Sequence, residues 1–98
     1  MNIIRNQNDG SLIIALEGRL DTTTAPELEQ EIKNRLDGVT ELVMDFARLD
    51  YISSAGLRVL LSAQKVMGKQ GSMKVIHANE MVMEVFKVTG FADILTIE

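Results

Sequence analysis

Residues 41–61 read ELVMDFARLDYISSAGLRVLL, and the way this stretch divides decides the fold. Its first six residues, ELVMDF (41–46), form an apolar run of a length that suits a strand buried on both faces. From Ser54 the period changes. Leu57, Leu60, Leu61, Gln64 and Met67 then fall at helical spacing, with Arg58, Lys65 and Lys69 mostly outward, which predicts a helix to about Lys69 with Gly71 just past its end. MKVIHA (73–78) is the next apolar run. Strand, helix and strand in this order predict a βαβ crossover, which in one sheet makes its two strands parallel.

Toward the N-terminus, SLIIALE (11–17) follows the turn signal Asn8-Asp9-Gly10, and Ile3 and Ile4 precede it, so a β-hairpin is expected. After Gly18 and Asp21 come three threonines and then Ala25-Pro26-Glu27. Hydroxyls cap helices, proline suits a first helical turn and an acid suits the positive helix end. Leu28, Ile32 and Leu36 recur every four residues and define the buried face of a helix that stops near Gly38.

Toward the C-terminus, Asn79 caps a third predicted helix in which Val82, Val85, Phe86 and Thr89 share a face, ending at Gly90. Met81 and Met83 lie off that face, so at least Met83 is expected to point outward. ILTI (94–97) reads as a last strand. The order β-β-α-β-α-β-α-β defines one α/β domain, with a mixed central sheet of about five strands and helices packed on it.

Composition narrows the function. With 98 residues, 46% of them hydrophobic, the chain can bury one modest core. The absence of cysteine removes disulfides, thiolate metal sites and cysteine nucleophiles, and a single histidine rules out multi-histidine zinc sites. No apolar stretch approaches the roughly 18 residues a membrane span needs, and MNIIRNQNDG does not read as a leader, so a cytoplasmic protein is expected. A net charge of -4 without a Lys/Arg cluster makes nucleic acid an unfavourable direct partner.

Ser53 and Ser54 stand where a strand's carboxyl end meets a helix's amino end, the place where functional groups collect in open α/β sheets. The Ser54 hydroxyl is expected among the unpaired first-turn N–H groups, either as a plain helix cap or as a residue whose phosphate the helix dipole would tolerate. A nucleophile would need a base, and His77 lies inside an apolar run, where a packed core or edge imidazole is expected. Ile52 and Ser53 before Ser54 also break the Gly-x-Ser-x-Gly pattern. Asp21, Asp45 and Asp50 frame the region; turn or cap hydrogen bonding is expected of them, Asp50 above all, and their spacing makes no octahedral Mg²⁺ site. Gly56, Gly68 and Gly71 form no phosphate cradle, and Gly56 is read as allowing close packing in the first helical turn.

Gly18-Arg19-Leu20-Asp21, Ala25-Pro26-Glu27-Leu28, the stretch 41–61 and Val88-Thr89-Gly90-Phe91 together resemble the anti-sigma factor antagonists of the STAS domain family, over almost the whole chain. The family usually reads Asp-Ser-Ser/Thr-Gly-Leu-Gly at the middle segment. Ser53 replaces its aspartate, Ala55 its Ser/Thr, Arg58 its second glycine and Arg19 its common glutamate. The resemblance implies that Ser54, with Ser53 as second choice, is phosphorylated by an anti-sigma factor serine kinase and reset by a serine phosphatase. It also implies a binding protein rather than an enzyme, with no cofactor or metal. The expected partner surface comprises Asp21, Thr22, Thr23, Ser53, Ser54, Gly56, Arg58 and Met81. The alternative is a constitutive STAS subunit of a larger complex, such as a lipid-transport ABC system.

Overall fold

The computed structural model describes residues 1–98. Two strands, β1 (Asn2–Asn8) and β2 (Ser11–Leu20), form the expected antiparallel hairpin, with Asp9 at φ 55°, a left-handed conformation that aspartate tolerates. Then follow α1 (Ala25–Arg35), β3 (Glu41–Ile52), α2 (Ser54–Gln70), β4 (Ser72–Ile76), α3 (Glu80–Thr89) and a 3₁₀ turn over Phe91–Asp93. The sheet order is β1-β2-β3-β4, with β2, β3 and β4 parallel, so the βαβ crossover inferred from 41–78 is present.

The sheet has four strands and not five. After Gly90, at φ 83°, the chain turns through the 3₁₀ segment and places Leu95 in the core. Only Thr96–Glu98 remain to run beside β4. There Val75 N–H donates to Thr96 O and Glu98 N–H to Val75 O, both at 2.9 Å, leaving a single parallel bridge between Val75 and Ile97.

β3 is twice as long as its apolar run. Against β2 its register slips between Ala15/Glu17 and again between Gly18/Arg19, each slip placing one extra residue in β3. Asp45 supports the first bulge by accepting the Ala47 N–H at 3.0 Å. The bulges break the alternation after Phe46, so the strand continues through ARLDYI with Leu49 and Ile52 buried. Asp50 therefore lies in the strand, exposed, and not in a turn as expected.

One sheet face carries the core. Leu12, Ile14 and Leu16 of β2, Leu42, Met44 and Phe46 of β3, and Met73 and Val75 of β4 are buried against Leu28 and Ile32 of α1, Leu57, Leu60, Ala63 and Met67 of α2, and Val82 and Phe86 of α3. The Phe46 and Phe86 rings lie 6.5 Å apart. Val85 packs at the edge of this core, whereas Thr89 is exposed and hydrogen-bonds back to Val85 O at 2.6 Å. Of the two α3 methionines, Met83 packs against the core and does not point outward as expected, whereas Met81, also expected off the buried face, is 57% exposed. His77 is also displaced, standing exposed beyond β4 at φ 61° and not within a packed strand.

Candidate functional site

The C-terminal ends of β2 and β3 lie side by side, and both chains turn there into helices. Leu20 pairs with Ile52, and Ser53 N–H donates to Leu20 O at 2.9 Å. Because β3 runs to Ile52, the first residue beyond it caps α2. That residue is Ser53, extended at φ -102° and ψ 175°, whose Oγ accepts the Gly56 N–H at 3.5 Å. Ser54 is thus the first helical residue and not the cap, and it is exposed. Of the two adjacent hydroxyls, one is occupied in the fold and the other faces solvent.

Gly56 is buried beneath this corner. A Cβ there would stand 2.6 Å from Leu20 Cγ and 3.0 Å from Ile52 Cγ1, so glycine lets α2 start directly against the two strand ends.

The loop between β2 and α1 is built around Asp21. Its Oδ1 accepts from Thr23 N–H at 3.0 Å, Thr23 Oγ1 at 2.8 Å and Thr24 N–H at 3.2 Å. Thr24 occupies the N-cap of α1 without a side-chain cap, its hydroxyl donating instead to Arg19 O at 2.8 Å. The hydrogen bond from the Thr23 hydroxyl, helped by the Thr23 and Thr24 amides, holds the Asp21 carboxyl below its ordinary pKa. The Arg19 guanidinium lies 4.2 Å over the Tyr51 ring, with Nε 3.7 Å from Asp21 Oδ2.

Thr22, Ala55 and Arg58 line a shallow groove of about 160 Å³ between the starts of α1 and α2, closed by Ala25, Pro26, Glu29 and Val59. Asp21, Thr22, Thr23, Ser53, Ser54 and Arg58 are therefore brought to one corner, with Gly56 below it. Met81, on α3, does not line this groove. Residue patterns alone passed over the Arg19–Tyr51 stack. The parallel register carries its signal, since Arg19 pairs with Tyr51 across β2 and β3. No helix is long and apolar enough to cross a membrane.

A mixed sheet with its helix starts gathered at one edge, and an exposed serine at the central one, defines a small single-domain α/β protein. The STAS domain family profile matches residues 2–98, and the chain belongs to that family. It is 39% identical over 99 residues to the Bordetella bronchiseptica protein BtrV, named as an anti-sigma factor antagonist, covering 99% of this chain and 85% of that one. The anti-sigma-B factor antagonist of Bacillus subtilis is 28% identical over 98 residues, covering 99% and 90%. Among solved structures, an anti-sigma factor antagonist from Mycobacterium paratuberculosis superposes with a TM-score of 0.88 at 25% identity, covering 98% of this chain and 83% of that one.

Proposed function

We propose that this protein is an anti-sigma factor antagonist that works by partner switching in the cytoplasm. The unmodified chain binds a kinase-type anti-sigma factor and so frees the sigma factor; the kinase phosphorylates Ser54, the complex dissociates, and a serine phosphatase restores the hydroxyl. The observation that carries this reading is the division of labour between the serines. Ser53 is held as the cap of α2, whereas Ser54, which matches the phosphorylated serine of the family motif, is exposed at the first helical position.

The physical chemistry is compatible with a switch at the surface. Phosphorylation adds roughly -1.5 to -2 charge and three acceptor oxygens, and a helix start stabilises negative charge, so the fold is expected to persist. A partner surface built for a neutral hydroxyl would face desolvation and repulsion, and each ~1.4 kcal/mol lost weakens binding about tenfold. Asp21, Thr22, Thr23, Ser53, Ser54 and Arg58 supply the centre of the contact, with Met81 on its periphery and Gly56 setting the helix position.

Affinity capture from the native cell, followed by intact-mass and peptide analysis, tests this reading. The expected result is a co-purifying ATP-binding serine kinase and a phosphate on Ser54. Phosphate only on Ser53, or a stoichiometric transporter ATPase with no phosphoform, would overturn it.

A further inference from the structure

Two charged groups line the groove between the starts of α1 and α2, Glu29 and Arg58, and only Glu29 is committed to an ion pair. Arg19 lies over Tyr51 and beside Asp21, Asp21 holds the threonine loop, and Glu29 across the groove is 3.7 Å from Lys33. Arg58 is exposed and takes part in none of the chain's ion pairs. It stands four residues after Ser54 in α2, so the two are neighbours on the helix surface. Helical side chains lean toward the N-terminus, over the turn before their own Cα, and Arg58 accordingly lines the groove with Ala55 and Thr22.

We propose that Arg58 is an intramolecular clamp for a phosphate on Ser54, its guanidinium meeting two phosphate oxygens against the first turn of α2. The inference rests on Ser54 as the phosphoacceptor and adds a residue that regulates the modified state. Arg58 stands where the family motif usually has glycine, so the clamp is a feature of this chain. Its consequence is a double change of charge. The unmodified corner shows a free guanidinium beside a hydroxyl; the modified corner shows a net anion, because the phosphate arrives and the guanidinium is consumed. A partner carboxylate that reads Arg58 loses its counter-charge as the phosphate begins to repel it.

The test uses the full chain with phosphoserine incorporated at position 54 during translation, so the result does not depend on which serine a kinase selects. The phosphate is titrated by ³¹P NMR in the otherwise unmodified sequence, in Arg58→Gln and in Arg58→Lys. A free phosphoserine has its second pKa near 6. The clamp predicts that the Arg58 protein titrates about half a unit or more below Arg58→Gln, with Arg58→Lys between them. The gap narrows at about 0.5 M salt. Arg19, Asp21 and Glu29 at the corner, and His77 and Glu80 beyond β4, are common to all three proteins and shift the curves together. Coincident titrations of the Arg58 and Arg58→Gln proteins would overturn the clamp while leaving phosphorylation of Ser54 standing. A phosphate found only on Ser53 in the cell would remove the switch reading and leave the measured clamp intact.

Discussion

At Gly56 the packing leaves no room for a methyl group, since Leu20 Cγ and Cδ2 lie 2.6 and 2.9 Å from where it would stand. Gly56→Ala is expected to cost about 1–3 kcal/mol, as overpacked cores do, and to appear as a lower urea midpoint with an unchanged slope. Ser53→Ala removes a cap whose hydrogen bond is long, 3.5 Å, so its cost should fall at the low end for caps, about 0.5 kcal/mol. Ser54→Ala should leave the unfolding free energy unchanged within about 0.5 kcal/mol, because the exposed hydroxyl does not cap the helix. Denaturation of the two serine variants side by side therefore separates their roles. The sequence places both serines at the strand-to-helix junction. Which one caps depends on where β3 ends, and that end is set by two bulges that no local period announces.

Among the elements, α3 is capped and tied to the sheet backbone by one residue, beside the packing of Val82 and Phe86 in the core. Asn79 Oδ1 accepts the Val82 N–H at 2.8 Å, and Asn79 Nδ2 donates to Leu49 O at 3.0 Å, so the cap of α3 is also its tie to β3. Asn79→Ala should destabilise by about 1–2 kcal/mol and raise amide exchange in α3, while Asn79→Ser, which keeps only the cap, should fall between. The cap itself is legible in the sequence because it is local; the tie to Leu49 is not, being 30 residues away. The same distinction explains the last strand. ILTI has strand composition, but the left-handed turn at Gly90 and the burial of Leu95 use up its first half, so only a bridge at Ile97 forms. Gly71 is the corresponding tight point between α2 and β4. A Cβ there would meet Thr40 O, the acceptor of Ser72 N–H, so Gly71→Ala must displace backbone and should cost at least as much as Gly56→Ala.

Across the whole molecule, the order of elements and the parallel crossover are readable because each buried face keeps one period over several residues, as in Leu28-Ile32-Leu36 and Leu57-Leu60-Met67. The charge contacts that close the fold are long-range and are not readable in that way. Arg5 of β1 grips Glu31 of α1 through both carboxylate oxygens, and this hydrogen bonding holds the Glu31 carboxyl below its ordinary range. Asp21 is held low by its threonines. A carboxyl with a depressed folded-state pKa contributes stability that is complete above the unfolded value, about 4, and is lost as pH falls through the folded value. The thermal midpoint should therefore drop below pH 4, and the drop should be shallower in Glu31→Gln and in Asp21→Asn. The proposed switch would be a property of the assembled corner, where β2, the Asp21 loop and α2 place Ser54 at the surface. Calorimetric titration of the kinase-type anti-sigma factor with the unmodified chain, Ser54→Ala and the chain carrying phosphoserine at position 54 tests it most directly. Partner switching predicts equal, tight binding by the first two and at least about tenfold weaker binding by the third; equal affinity of all three would contradict it.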